Sequence, residues 1–291
     1  MMRLVFYSFW EGWMMEFSVP VLSIVFMSVT LCISVILPIL LLIILWRKTR
    51  QSLLPALYGA IVFVLFAMIL EGTLHIVFLK NLSSTRNFFL ASPLAHVAYA
   101  CLMAGIFEET GRFAAFHLLK KKHNSLPVAL SFGLGHGGVE ALLLVGPTMI
   151  NNLMISVTLN AGGAEALINS VPKESQADLI KQLTVLSSTE PSIYLAGGVE
   201  RLAAMGLHIA LSVLIWMVVT KRISFAFYPA AILLHAISNI PAALYQYGTL
   251  TNVWLVELMV VLFSLIIIWL VVFLYQRQKA KIPVLNPIKG K

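Results

Sequence analysis

Long apolar runs separated by short polar segments dominate the pattern of this chain. A membrane-spanning helix needs about 20 mainly apolar residues. Seven runs meet that requirement, at residues 18–46, 53–79, 89–119, 125–146, 193–220, 225–247 and 251–275. The pattern therefore predicts an all-α polytopic membrane protein of about seven to eight transmembrane helices, with a single membrane domain over residues 1–291.

Two stretches between the fourth and fifth runs do not fit a simple span. Residues 147–160 are apolar but short, which favours an interfacial or re-entrant segment. Residues 161–192 form the one long polar stretch of the sequence. Within it, apolar residues recur at helical spacing, at Leu179, Ile180, Leu183 and Leu186. This spacing predicts a short amphipathic helix at the membrane surface.

Composition supports a membrane protein and the charge distribution suggests its orientation. Hydrophobic residues make up 60% of the 291 residues and charged residues 11%, with a mean hydropathy of +0.93. A soluble domain has roughly 25% charged residues. The net charge is +8, and most of the 20 lysines and arginines lie after the first, third and fifth runs and in the tail, 276–291. Because short cytoplasmic loops are enriched in basic residues, we expect a multi-pass cell-membrane protein with the N-terminus outside, a basic cytoplasmic tail and residues 161–192 extracytoplasmic. The basic surplus then needs no nucleic-acid partner.

The third apolar run contains the unusual segment GIFEETGRF, residues 105–113. Ionisable side chains inside a spanning helix are costly and usually mark a functional site. Glu108 and Arg112 are four positions apart and share one helix face, while Glu109 reaches Arg112 at a spacing of three. The segment therefore predicts an intramembrane polar site, although Glu109 and Arg112 are also consistent with a structural ion pair.

Other apolar runs carry similar polar residues. His136 and Glu140 are four positions apart in SFGLGHGGVEA, and His235 and Asn239 repeat that spacing in LLHAISNIPA. Glu200 and His208 lie in the fifth run. Glu108 and the three histidines, His136, His208 and His235, are each about ten residues from an end of their runs, or roughly 15 Å at 1.5 Å per residue. We therefore expect these side chains to converge near the middle of the bilayer. For each histidine, a purely structural role in packing is the alternative interpretation.

Three of these segments resemble motifs of a known superfamily. EETGR, FGLGH and HAISN are similar, in that order, to the EExxxR, FxxxH and Hxxx(N/D) motifs of the CAAX-protease and bacteriocin-processing superfamily. Within it, the chain most resembles the YhfC family of glutamic-type intramembrane proteases. The resemblance covers about residues 100–245 and implies a helical bundle with a water-activating glutamate.

The resemblance also implies roles for individual residues. Glu108 and His136 would activate water, His235 and Asn239 would complete the site and stabilise the oxyanion, and Arg112 would orient the glutamate pair. The first motif is one residue shorter here, so the arginine is four positions from Glu108 rather than from Glu109. We therefore favour Glu108 as the base. Five residues are assigned supporting roles: Glu109, Arg112, Glu140, Glu200 and His208.

The predicted function is hydrolysis of membrane-associated peptides or proteins by an intramembrane endopeptidase without a cofactor. A zinc site at His136, His208 and His235 is the alternative, because histidine and glutamate are zinc ligands, although the HExxH signature is absent. Two other classes also bury such residues. One is a proton-coupled transporter, which often shows paired repeats that we do not find here. The other is a non-catalytic binding or immunity protein on the same fold.

Overall fold

The computed structural model describes residues 17–121 and 124–280, and within these ranges the regular structure is helical. The helices in chain order are α1 (Val21–Thr49), α2 (Leu54–Asn81), α3 (Ser83–Ala91), α4 (Pro93–Leu119), α5 (Leu126–Leu144), α6 (Gly146–Asn160), α7 (Ala164–Asn169), α8 (Lys173–Ser188), α9 (Pro191–Val219), α10 (Phe227–Gln246) and α11 (Val253–Ala280). Prolines stand in the first turns of α4, α5, α6 and α9, where a missing N–H breaks no helical hydrogen bond.

The polytopic, all-helical class predicted from the sequence is confirmed. Six helical units are long and apolar enough to cross a membrane. Helices α5 and α6 form one of these units, and the other five are the single helices α1, α2, α9, α10 and α11. Helices α3 and α4 meet at a bend of 115° and pass the same test only as a pair, which makes a seventh candidate span. Within the described residues the count is therefore six or seven, and it meets the predicted seven to eight only when the bent pair is counted as one span.

Residues 147–160 do not fold back as the re-entrant alternative expected. They form α6, which continues α5 so that the two helices extend over 35 residues. At about 1.5 Å per residue this length is roughly 52 Å, well beyond the ~30 Å hydrocarbon core. Pro147 does not interrupt the run because it occupies the first turn of α6. Helix α6 therefore continues outward instead of folding back, and its interfacial location stays a prediction.

The long helix α9 lies at the centre of the bundle. It packs against α1, α5 and α11, while α4 packs against α10 and α5 also packs against α2. The fully buried apolar residues of α9 include Leu211, Leu214, Ile215 and Met217. Because α9 contacts helices from both halves of the chain, it brings α4, α5 and α10 around one point.

Glycines on α5 allow two neighbouring helices to approach its backbone. A Cβ at Gly133 would lie 2.5 Å from the Cα of Ile209 on α9, and one at Gly135 would collide with the carbonyl of Ala56 on α2. Small residues at such crossings let spanning helices pack backbone to backbone. His136, which follows Gly135, is thereby held between α2 and α9.

The connections place the helix termini at two ends of the bundle. We call the end that carries α7 and α8 the loop end. Asn160 at the end of α6 accepts a hydrogen bond from the backbone N–H of Val19 at 2.7 Å and donates one to its carbonyl at 2.9 Å, so α1 begins at the loop end. Described basic residues at the opposite end lie in the last turns of helices or directly after them: Arg47, Lys48, Arg50, Lys120, Lys121, Lys221, Arg222, Arg277 and Lys279. The cytoplasmic location of that end stays a prediction, and residues 1–16 and 281–291, with most of the predicted tail, lie outside the described residues.

The polar stretch 161–192 contains the short helix α7 and the helix α8. On α8, Leu183 and Leu186 are buried, and Leu179 and Ile180 are half-buried against the same apolar cluster. The four apolar positions predicted to share a face therefore pack against the bundle. Exposed polar residues of α8, such as Lys181 and Gln182, lie outside this contact.

Candidate active site

Glu108 of α4 lies among three histidines contributed by three other helices. Its Oε2 is 2.8 Å from Nε2 of His136 on α5 and 3.7 Å from Nδ1 of His208 on α9. Its Oε1 is 3.8 Å from Nε2 of His235 on α10. All four side chains are buried. The structure thus brings together the four residues that the sequence placed deepest in their apolar runs.

Arg112 links both glutamates of α4 to the histidine on α9. Its Nη1 donates to Glu109, its Nη2 lies 3.6 Å from Oε2 of Glu108, and Nη2 donates to Nδ1 of His208 at 2.5 Å. A guanidinium can only donate hydrogen bonds, so Nδ1 of His208 accepts and has its lone pair directed into the cluster. Arg112 is fully buried, and its charge is compensated by the two carboxylates.

A second network of charged side chains contacts the other ring nitrogen of His208. Its Nε2 lies 2.5 Å from Oε2 of Glu140, and Oε1 of Glu140 accepts a hydrogen bond from Arg201 at 2.7 Å. Arg201 also donates to Glu200 at 2.6 Å. The sequence-based site included Glu140 and Glu200 but not Arg201. The sequence did contain a signal for Arg201, because it is an arginine inside an apolar run, beside Glu200 and seven residues before His208.

His235 is held from the opposite side by Glu109. Its Nδ1 donates to Oε1 of Glu109 at 2.8 Å, because an ionised carboxylate only accepts. The remaining nitrogen, Nε2, faces Glu108 at 3.8 Å and carries the lone pair when the imidazole is neutral. One turn further along α10, Asn239 is half-buried and lines the cavity beside the cluster.

A cavity of about 60 Å³ adjoins the cluster, with room for at least one water molecule. It is bounded by α4, α5, α9, α10 and α11. Its lining residues are Glu108, Glu140, Glu200, Arg201, Ala204, Leu207, His208, His235, Ser238, Asn239, Ala242, Val260 and Ser264. Three of the four predicted catalytic residues line it, Glu108, His235 and Asn239, whereas His136 is not among its lining residues.

The cluster has the composition of a metal site. One possible ligand atom from each of Glu108, His136 and His208 lies within 4.8 Å of the other two. Two histidines and a glutamate, with water in the fourth position, are a known ligand set of catalytic zinc. The sequence-based alternative named His136, His208 and His235, so in this trio Glu108 stands where His235 was expected.

Two further features of the structure fit a bound cation. Glu140 lies against Nε2 of His208, as outer carboxylates commonly do for metal-bound histidines. This leaves Nδ1 as the acceptor nitrogen of His208, and in this structure it accepts from Arg112. When Glu108, Glu109, Glu140 and Glu200 are ionised and the neighbouring histidines are neutral, Arg112 and Arg201 leave two negative charges unbalanced. A divalent cation would balance them, and unbalanced charge is costly inside a membrane protein.

Comparison with known proteins places these residues within a recognised family. The model of the YhfC intramembrane metalloprotease family matches residues 33–260, which contain the whole cluster. A membrane protein of Bacillus subtilis (strain 168), named uncharacterized membrane protein YhfC, is 36% identical over 252 residues, covering 86% of this chain and 95% of the relative. No solved structure matches. The chain belongs to the YhfC intramembrane metalloprotease family.

Proposed function

We propose that this chain is an intramembrane endopeptidase that hydrolyses peptide bonds of membrane-associated substrates with an activated water molecule. The observation that carries the proposal is the convergence of Glu108 with histidines from α5, α9 and α10 in a buried cluster beside a water-sized cavity. Peptide hydrolysis requires a base for water, a donor for the oxyanion and an acid for the leaving amine. The cluster contains side chains suited to each role.

The expectation of a cofactor-free site is revised here in favour of zinc. The family is described as one of metalloproteases, and the ligand set, the carboxylate of Glu140 behind His208 and the charge balance all fit a divalent ion. Glu108, His136 and His208 would hold it. Zinc supplies Lewis acidity to a peptide carbonyl and makes a water molecule more acidic. In the glutamic-type alternative, Glu108 and His136 activate water without a metal.

The remaining residues handle protons and charge. His235, held at Nδ1 by Glu109, accepts a proton from the attacking water at Nε2. As the tetrahedral intermediate collapses and its C–N bond breaks, the same nitrogen returns that proton to the leaving amine. Asn239 lines the cavity one turn away and donates its amide to the developing oxyanion. Arg112 keeps both glutamates of α4 ionised and in place.

We also place the family within the CAAX-protease and bacteriocin-processing superfamily. The support is the order of the three motifs and their positions, since EETGR lies on α4, FGLGH on α5 and HAISN on α10. These are the three helices that hold Glu108, His136 and His235 against one another. A shared chemistry with metal-free members does not follow from this placement, because His208 is additional to the three motifs.

The proposal is tested with purified protein in proteoliposomes and fluorescein-labelled β-casein, an unfolded polypeptide. We expect wild-type protein to generate new peptide termini, identified by mass spectrometry, and Glu108→Gln to generate none. Glu174→Gln on the exposed face of α8 is the matched control, because it makes the same chemical change away from the cluster. Equal cleavage by Glu108→Gln and wild type would show that the site is wrong. Absence of cleavage together with substrate-driven proton flux would identify the transporter instead.

A further inference from the structure

The catalytic cavity extends from the histidines towards the loop end. Helices α5 and α9 are antiparallel at the site, since Glu140 contacts Arg201 while His136 stacks against His208 with ring centroids 4.9 Å apart. Glu140 follows His136 on a helix that runs to the loop end, and Arg201 precedes His208 on a helix that starts there. Both therefore lie on the loop-end side of the histidines, and both line the cavity.

The lining residues from α10 and α11 also lie on the loop-end side of the histidines. On α10, which ends at the loop end, Ser238, Asn239 and Ala242 follow His235. On α11, which starts at the loop end beside α9, Trp254 donates to Ser192 and Gly206 approaches Ile268. Val260 lies between those two levels, nearer the loop end than the histidines. The cavity therefore extends from the cluster towards the end that carries α7 and α8.

A much larger cleft lies at the same end, between α6, α8 and the first turn of α9. Its volume is about 610 Å³, within the range of ligand-binding sites. We call it the α6–α8 cleft. Its lining residues are Asn151, Asn152, Ile155, Asp178, Lys181, Gln182, Leu183, Val185, Leu186, Thr189 and Tyr194. The mechanism proposed above uses none of them.

The side chains of the α6–α8 cleft suit a polypeptide in extended conformation. Its buried base is apolar, with Leu183, Leu186 and Tyr194. Its polar rim includes the amides of Asn151, Asn152 and Gln182. Each amide offers both a donor and an acceptor, as the unpaired N–H and C=O groups of an extended chain require. One acidic and one basic residue, Asp178 and Lys181, give the rim no net charge.

Helix α9 connects the α6–α8 cleft to the catalytic cluster. Tyr194, Arg201 and His208 recur every seven residues, so they lie on nearly the same face of the helix. Tyr194 lines the cleft, Arg201 lines the cavity and His208 belongs to the cluster. From Tyr194 to His208 the rise is about 21 Å at 1.5 Å per residue. About six extended residues cover this distance.

We propose that the α6–α8 cleft is a binding site for an extended segment of the substrate polypeptide, on the loop-end side of its cleavage site. This inference rests on the proposed function. The substrate class is therefore membrane-associated proteins whose unfolded segment lies on the loop-end side of the membrane, with about six residues between the bound segment and the cleaved bond.

The test compares a long and a short substrate on a variant of the cleft. Asn152→Leu/Gln182→Leu removes two rim amides at nearly constant side-chain size and leaves the apolar base intact. For fluorescein-labelled β-casein we expect KM to rise about tenfold, which corresponds to about 1.4 kcal/mol. A six-residue fluorogenic peptide, centred on a casein bond that the protein cleaves, reaches only about 10 Å to either side. Its kcat/KM should stay within about twofold of wild type.

Asn87→Leu on the exposed face of α3 is the matched control, because it makes the same change outside the cleft. An unchanged KM for casein, or equal losses for casein and the six-residue peptide, would overturn the inference. If the wild-type protein cleaves neither substrate, the proposed function fails. The α6–α8 cleft is then tested separately, by measuring casein binding without cleavage. In that case fluorescence anisotropy should show that labelled casein binds to the Glu108→Gln protein. Its affinity should be about tenfold weaker when Asn152→Leu and Gln182→Leu are introduced into the same chain. Equal casein affinity with and without the two cleft substitutions, or no casein binding at all, would refute the α6–α8 cleft as a binding site.

Discussion

Nδ1 of His235 donates a hydrogen bond to the carboxylate of Glu109 at 2.8 Å, joining α10 to α4 inside the bundle. The same carboxylate oxygen accepts from Arg112, so Glu109 is occupied by two donors. Glu108, its neighbour on α4, instead faces the histidines and lines the cavity. The adjacent glutamates therefore have different surroundings, which supports the choice of Glu108 as the reactive one.

The first prediction separates the two glutamates. Glu108→Gln keeps the size of the side chain but removes the charge that either a metal ligand or a base at this position needs. Turnover should fall by at least about 10²–10⁴, the usual effect of losing an acid–base group. Glu109→Gln should retain more turnover but lower the melting temperature, because it leaves Arg112 with one carboxylate fewer in a buried site. Turnover and thermal unfolding are measured on the same preparations. Greater loss of turnover in Glu109→Gln would reverse the assignment.

The second prediction concerns metal. We expect about one zinc ion per chain in protein purified without chelator, measured by mass spectrometry of the metal content. A chelator should abolish turnover, and added zinc should restore it. His208→Ala should lose both metal and turnover, because His208 belongs to the trio of possible ligands. Full turnover in demonstrably metal-free protein would favour the glutamic-type mechanism.

The third prediction distinguishes a proton carrier from a ligand. His235→Ala should keep the metal of the wild type, because the trio of Glu108, His136 and His208 stays complete. Its turnover should nevertheless fall by about 10²–10⁴. The comparison with His208→Ala uses one substrate and one metal assay for both proteins. Loss of metal from His235→Ala would instead make His235 a ligand, as the sequence-based set had it.

The fourth prediction tests the close helix contacts around His136. Gly135→Ala should lower stability by about 1–3 kcal/mol, the usual effect of overpacking, because its Cβ would meet the backbone of Ala56. Gly197→Ala on α9 is the control, since a Cβ there meets nothing within 4 Å. It should be neutral or raise stability by up to about 1 kcal/mol. Equal melting temperatures for the two variants would show that α2 and α5 do not pack as described.

The fifth prediction concerns orientation. Lys181→Cys on α8 should react with a membrane-impermeant maleimide in intact cells, whereas Lys279→Cys at the end of α11 should react only after permeabilisation. Both positions are exposed, and they lie at opposite ends of the bundle. The background replaces the two native cysteines, Cys32 and Cys101. Labelling of position 181 only after permeabilisation would invert the predicted topology and the side from which substrate enters.

Local features of the chain were readable from the sequence because they depend on neighbours along one helix. Apolar runs of about 20 residues identify spans, and the spacing of four places Glu108 and Arg112 on one face. The same local rule located the apolar face of α8 at Leu183 and Leu186. It left a re-entrant segment open at residues 147–160, which the structure excludes because Pro147 stands in the first turn of α6 and α6 continues α5.

Contacts between helices were decided only by the tertiary structure. By spacing, Glu140 belongs with His136 on α5, yet its ionic partners among the described residues are Arg201 and His208 of α9. Glu109 likewise turns to His235 on α10. These partners depend on how each helix is rotated and how closely it approaches the next, and close backbone contacts at Gly133 and Gly135 set that geometry. The sequence by itself therefore determined which side chains lie in the membrane, whereas three-dimensional packing determined which carboxylate holds which histidine.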